Sequence, residues 1–256
     1  MDKLDRKRIL LKVGSNVLTN ETNRLSIDKL KDIASQVDAL RKEYEVIIVS
    51  SGSVAVAKQF TDLEGKEISV KQALAAIGQP LLMHFYQNIF KEYDILTSQC
   101  LLSYADFEKE ETRNNIKNTI NVLVSNKYMP VINENDTVAT DEIKFGDNDK
   151  LGALTAELLN ADILMIATNT DGVYTKESFE KGTPETIKET NSIEDLKTQI
   201  GESISLHGTG GMTTKIAAAE IAQQANIETW IVNGLKDNFI LDALENKTSF
   251  TKITNK

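Results

Sequence analysis

One cysteine, two histidines and three prolines are all that 256 residues supply of those types. A lone Cys100 builds no intramolecular disulfide, so no covalent staple holds the chain, and a reducing compartment suits it. Cys100 lies in an apolar run, ILTSQCLL, which reads as core packing. His84 and His207 lack metal-ligand spacing; His84 falls in a helical run and reads as structural, whereas His207 borders a glycine-rich stretch. Positive charge is also scarce, with 29 Lys and Arg against 38 Asp and Glu and a net charge of −9. A nucleic-acid surface needs a basic field, so nucleic acid is excluded as a partner on this reading. No apolar run approaches the roughly 20 residues of a membrane span. The opening MDKLDRKRIL lacks the apolar stretch of a signal peptide. The expectation is a soluble, cytoplasmic protein with no membrane partner. Two phosphate-binding patterns are missing as well: G-x-x-x-x-G-K-[ST], and G-x-G-x-x-G after a strand. Any nucleotide chemistry here is therefore not that of a P-loop.

What the chain does have is a dense polar stretch, PVINENDTVATDEIKFGDNDKLGA, at 130–153. An apolar approach runs into Asn133-Glu134-Asn135-Asp136, and a second cluster, Gly146-Asp147-Asn148-Asp149, opens a helical run over 151–159. The loose alternation at 138–145 between them suits a short hairpin or flap. Asn and Asp also favour turns and caps, so each cluster alone reads as loop chemistry. Two clusters in one span, at a strand end and a helix start, point to a polar ligand site. Carboxylates and amides without His or Cys suit an ammonium, a hydroxyl or a hydrated hard cation, not zinc.

Around this stretch strands alternate with helices. Strands are predicted at 8–13, 45–49, 94–102, 129–132, 162–167 and 229–232, with an edge strand at 249–253. Helices are predicted from the Ser26 cap to about 44, in two runs within 69–93 with Pro80 opening the second, and at 110–127, 193–200, 216–225 and 237–244. The stretch 176–182 reads as a loose loop. That order implies a mainly parallel sheet with helices on both faces. Lys12 interrupts an otherwise apolar strand just before Gly14-Ser15, which is costly unless the ammonium reaches solvent or an anion. Ser50-Ser51-Gly52-Ser53 forms a strand-to-helix turn able to offer backbone N–H groups and hydroxyls. Thr168-Asn169 follows another strand, and the glycine-rich run 208–215, ending in Lys215, opens a helix as a phosphate cradle would. Apolar helices over 69–90 suggest a homo-oligomer, a dimer or tetramer.

Six segments together, KVGSNVLT, SSGSVA, LAAIGQ, PVINENDTVAT, KFGDNDKLGA and GTGGMTTK, resemble the glutamate 5-kinases of the amino-acid kinase superfamily. The resemblance spans nearly the whole chain, in order. It implies a three-layer αβα sandwich around a mainly parallel sheet, forming a single domain over 1–256. Its N-terminal part would bind glutamate and its C-terminal part ATP, without the C-terminal PUA domain of many members. It implies phosphorylation of the γ-carboxylate of L-glutamate by ATP with Mg²⁺, in proline synthesis, with proline as a feedback inhibitor in many members. By position, Lys12 and Lys215 match the lysines that neutralise the transferring phosphoryl group, and Asp149 the carboxylate that holds them. Ser51, Asp136 and Asn148 match the glutamate-binding positions. Gly14, Thr168, Asn169 and the loop Thr209, Gly210, Gly211, Met212, Thr213, Thr214, Lys215 match the nucleotide-binding ones, with no dedicated metal ligands. Asn169 departs from the Asp common at that position. Left open are a sister kinase acting on acetylglutamate, aspartate, carbamate or a phosphate monoester, and a non-catalytic amino-acid sensor on the same fold.

Overall fold

The computed structural model describes residues 6–139, 148–200 and 211–255. The predicted flap from 140 onward, Gly146, Asp147, His207, Gly208, Thr209 and Gly210 lie outside them. Eight strands run through the described residues: β1 Lys7–Val13, β2 Tyr44–Val49, β3 Leu96–Leu102, β4 Tyr128–Glu134, β5 Ile163–Thr168, β6 Glu189–Thr190, β7 Glu228–Asn233 and β8 Thr251–Ile253. They form one sheet in the order β3-β4-β2-β1-β5-β7-β8-β6. Every pairing is parallel except β7 with β8. Parallel neighbours need crossovers, and helices supply them: α1 Ser15–Leu18, α2 Ile27–Leu40, α3 Ser53–Ala57, α4 Ile68–Lys91, α5 Glu110–Ser125, α6 Asp149–Leu159, α7 Lys176–Glu180, α8 Ile193–Ile200, α9 Met212–Gln224 and α10 Phe239–Leu244. A 3₁₀ turn, Tyr104–Phe107, precedes α5.

Successive strand residues point to opposite faces, and the core divides on that period. Ile9, Leu11, Val13, Val46, Ile48, Val131 and Met165 pack on one face with residues of α2, α4 and α10. Leu10, Ile47, Val49, Ile132, Leu164 and Ile166 pack on the other with α5, α6 and α9. A third cluster joins Val173, Leu196, Ile216, Ile231 and Ile253 beyond β7. Each fully buried aliphatic side chain contributes about 1.5–3 kcal/mol, so three layers of this kind need no disulfide. The Cys100 thiol is half-buried against the second cluster, and burial pushes its pKa up.

β1 lies between β2 and β5. The chain winds to one side of β1 through β2, β3 and β4, then to the other through β5 and β7. The carboxyl ends of β1 and β5 therefore flank the point where strand order reverses, which is where open α/β sheets bind ligands. Lys12 has the parity of Leu10, so it faces the α6–α9 layer.

Several predicted boundaries move. Tyr44 belongs to β2 rather than to the end of α2, because Arg41 already closes that helix and Val46 and Ile48 carry a strand period. The two runs predicted around Pro80 are one helix of 24 residues with Pro80 inside it. Pro80 has no N–H for the Ala76 carbonyl, yet Leu74, Ala75, Leu82, Met83, Tyr86 and Phe90 bury one continuous side and hold the helix together. β4 runs two residues further than its apolar stretch, through Asn133 and Glu134, both buried. The supposed loop at 176–182 begins as the short helix α7, capped where the Thr175 hydroxyl accepts the Ser178 N–H at 3.4 Å. α9 starts at Met212 rather than at 216, and Lys215 lies within its first turns as expected. His84 is exposed and bonds Asn88 at 2.8 Å along the same helix.

Candidate active site

The sheet register assembles the site. Lys12 is level with Val49 on β2 and with Ile166 on β5. Gly14 and Ser51 therefore follow just past the ends of β1 and β2, and Thr168 ends β5. Ser50 continues the ladder, its N–H donating to the Ile132 carbonyl at 2.8 Å, which brings Asn133 alongside.

At the centre, Asp149 opens α6 with no exposed surface. The Lys12 ammonium pairs with its Oδ1. The Lys215 ammonium pairs with its Oδ2 at 3.1 Å, and the Thr214 hydroxyl donates to the same oxygen at 3.1 Å. Both lysines are buried, at 3% and 5% exposure. Two ammoniums thus share one carboxylate between the N-terminal ends of α6 and α9, where the helix dipoles add further positive potential. Such a place suits a polyanion. Gly211 caps α9 in extended conformation, and Met212, Thr213 and Thr214 form its first turn.

On the β2–β4 side lies a cavity of about 550 Å³, lined by Ser51, Ser53, Glu134, Asp136 and Asn148 among others. The Ser53 hydroxyl donates to Asp136 at 3.3 Å. Burial pushes the Asp136 carboxyl above the usual carboxylate range, and the Ser53 hydrogen bond offsets part of that. Asn148 donates to the Ser50 carbonyl at 2.6 Å and to Asn133 Oδ1 at 2.7 Å. Gly52 turns this corner at φ +98°, left-handed backbone that a side chain would strain. Gly78 of α4 lies against the Ser53 carbonyl so closely that a Cβ would fall on it. Ser50 is held from the same helix by Tyr86, hydroxyl to hydroxyl, at 3.0 Å.

On the β5–β7 side, Thr168 is buried and Asn169 exposed, with Thr168 level with Asn233. Asn233 donates to Asp171 at 2.9 Å, and the Lys236 ammonium pairs with Asp171 at 2.6 Å. Partial burial raises the Asp171 carboxyl, but the Lys236 and Asn233 hydrogen bonds outweigh it and hold the group below the usual range.

The structure thus brings Lys12, Asp149 and Lys215 into contact and gathers Ser51, Asp136 and Asn148 around one cavity. Gly14 lies beside this centre, the position of a Cβ there being 3.7 Å from Lys12 Nζ. Ser53, read with the Ser50–Ser53 turn as a candidate pocket wall, lines the cavity, whereas Gly78 and Gln79 were given no role at the site. Gly78 and Gln79 were visible only as the last two residues of LAAIGQ, whose distance from the polar stretch concealed their proximity.

The model of the amino acid kinase family matches residues 7–233. The chain is 38% identical over 244 residues to a glutamate 5-kinase of Alkaliphilus metalliredigens, covering 93% of this chain and 92% of that one. It is 40% identical over 248 residues to that of Clostridium tetani, covering 95% and 93%. With the Vibrio vulnificus glutamate 5-kinase it shares 42% identity over 242 residues, and the match spans 64% of that longer relative's length. Among solved structures, it resembles carbamate kinase from Giardia lamblia with a TM-score of 0.69 at 15% identity, over 98% of this chain and 99% of that one. UMP kinase from Ureaplasma parvum gives 0.66 at 20% identity over the same shares. These two likenesses establish the fold.

Proposed function

The chain belongs to the amino acid kinase family, and from that premise we propose that it transfers the γ-phosphoryl group of ATP to the side-chain carboxylate of L-glutamate, giving L-glutamyl 5-phosphate for proline synthesis. The observation that carries this reading is the buried Lys12–Asp149–Lys215 triad, set between a cavity holding Asp136 and the carboxyl ends of β5 and β7.

A γ-carboxylate oxygen of glutamate attacks the γ-phosphorus, and the bond from that phosphorus to the bridging oxygen breaks. ADP leaves with the electron pair. The nucleophile is already ionised at neutral pH, so no general base is needed. Phosphoryl transfer of this kind asks for positioning and for neutralisation of charge. Lys12 and Lys215 supply that charge where negative charge builds up in the transition state. Asp149 fixes both ammoniums, and the first turn of α9 offers backbone N–H groups to the phosphates. Asp136 and Asn148 meet the α-ammonium of glutamate.

Both Asp149 oxygens are engaged by lysines. Among the described residues no three His, Cys, Asp or Glu side chains form a metal cage. With both Asp149 oxygens held by lysines, Mg²⁺ would be carried on nucleotide oxygens and water, where it would supply further neutralisation of phosphate charge. Exposed apolar side chains on α4, Ile68 at 39% and Ile77 at 40%, fit the homo-oligomer expected from its sequence; a monomeric mass by light scattering at micromolar concentration contradicts it. Proline inhibition is checked by the glutamate saturation curve with and without proline, an unchanged curve removing it. The main test is ADP release over a panel of glutamate, N-acetylglutamate, aspartate, carbamate and uridylate. This reading requires release with glutamate well above the others, and equal or greater release with another acceptor overturns it.

A further inference from the structure

Behind the cavity, four side-chain amides form a row. Gln99 of β3 meets Gln79 of α4, Gln79 meets Asn133 of β4, and Asn133 meets Asn148, which precedes α6. Their N···O separations are 3.1, 2.7 and 2.7 Å. Gln79, Asn133 and Asn148 are each less than a tenth exposed. An amide can be turned end for end, but two backbone groups of fixed polarity settle this row. The Ser50 carbonyl only accepts, so the Asn148 atom 2.6 Å from it is Nδ2. The Glu134 N–H only donates, so the Asn133 atom 3.0 Å from it is Oδ1. Asn148 Nδ2 also donates to that Oδ1, which leaves Asn133 Nδ2 for Gln79 Oε1. Gln79 then turns its Nε2 to Gln99 Oε1.

The consequence lies at the cavity end of the row. Both hydrogens of Asn148 Nδ2 are committed, to Ser50 and to Asn133. Its remaining polar atom is a carbonyl oxygen, an acceptor, on the wall that also carries the Asp136 carboxylate. Two acceptors suit a group rich in N–H donors. A primary ammonium brings three, an acetylated amine one, and a carboxylate none.

We propose that Gln79 is a positioning residue that braces the polarity which Ser50 and Glu134 give this wall, and so sharpens the preference for an acceptor with a free α-ammonium. It is not among the residues lining the large cavity, although it lines a smaller neighbouring one with Asp136, and it reaches the large cavity through Asn133 and Asn148. With Gln79 in place, turning Asn133 over would set its Oδ1 against Gln79 Oε1 and its Nδ2 against two donors. Without it, the buried Asn133 Nδ2 loses its partner and turning is opposed only by the Glu134 N–H and Asn148 Nδ2.

The proposal rests on glutamate as the acceptor. Gln79→Leu removes the acceptor that faces Asn133, whereas Gln79→Glu keeps an oxygen there and lets the exposed Gln99 amide adjust. Gln79→Leu is expected to raise the glutamate KM about tenfold, the worth of one such hydrogen bond. The ATP KM and kcat stay close to wild type, and the preference for glutamate over glutarate, which lacks the amine, narrows. Gln79→Glu recovers most of both effects. An unchanged glutamate KM and preference in Gln79→Leu overturns the proposal, as does a parallel rise in both KM values or a Gln79→Glu variant no better than Gln79→Leu. If Gln79→Leu does not fold, Gln99→Leu at the exposed end of the row should give a smaller shift of the same sign, and no shift overturns the idea. A wild-type protein that phosphorylates no glutamate would instead refute the parent reading. The row is then tested by exchange of the Asn148 side-chain amide protons, which must be slow in wild type and faster in Gln79→Leu; equal rates overturn it.

Discussion

Replacing the Lys12–Asp149–Lys215 triad by Met, Leu and Met should leave a folded protein with no activity. The reasoning starts from burial, since the three side chains are at most 7% exposed. Removing one partner of a buried pair strands a charge, at a cost of about 3–5 kcal/mol. Asp149→Leu alone strands two ammoniums and is expected to lose at least that much. Replacing all charged members together removes the desolvation penalty with the attraction, and such exchanges are neutral or stabilising by about 1–4 kcal/mol. The triple variant should therefore recover the stability that Asp149→Leu loses. Its kcat should remain below detection, because two charge-stabilising groups are gone, each worth about a hundredfold or more. Urea denaturation followed by circular dichroism gives the stabilities, and a coupled ADP assay gives the rates. If the triple variant is as unstable as Asp149→Leu, the triad is architecture first, and the argument that its charges are retained for chemistry fails.

Lys12→Ala and Lys215→Ala should each lower kcat by about a hundredfold or more with little change in the glutamate KM, because their charges act where negative charge builds up in the transition state; near-wild-type kcat in either refutes the role. Asp136→Asn should raise the glutamate KM roughly ten- to a hundredfold, the loss of a charge-assisted bond of about 1.5–3 kcal/mol, while kcat and the ATP KM hold. Burial raises the Asp136 pKa, so kcat/KM for glutamate should fall on acidification through a pH above the ordinary carboxylate range, and this limb should vanish in Asp136→Asn. Stability runs the other way: a carboxyl whose folded pKa is raised stabilises while protonated and loses that as pH rises from its unfolded to its folded pKa. Asp136→Asn should then be the more stable protein at neutral pH by thermal melting. Gly78→Ala places a Cβ on the Ser53 carbonyl; overpacking of this kind costs about 1–3 kcal/mol, and displacing Ser53 should weaken glutamate binding more than ATP binding.

The alternation of β1, β2, β4, β5 and β7 with intervening helices was legible because a buried parallel strand is an almost continuous apolar run and its crossover helix carries a stripe. Lys12 stood out for breaking such a run. Asn133 and Glu134 were read as loop because polar residues rarely end a central strand; here they extend β4 beside Leu101 and Leu102 of β3, with Asn133 bonded across to Gln79 of α4 and to Asn148 ahead of α6, contacts no local pattern reveals. Pro80 misled for the same reason, since packing on both sides of it outweighs one lost helix bond. Gln79 could not be read as part of the site at all: it lies 54 residues from Asn133, and only the fold brings them to 2.7 Å.

The central claim concerns which bond is made. Incubation with ATP, Mg²⁺, L-glutamate and hydroxylamine should give a hydroxamate of the glutamate side chain in step with ADP release, because hydroxylamine captures an acyl phosphate and leaves a phosphate ester untouched. Lys215→Ala should lose both products together. ADP release that depends on glutamate yet yields no hydroxamate, or hydroxamate formed equally well by Lys215→Ala, would contradict the account.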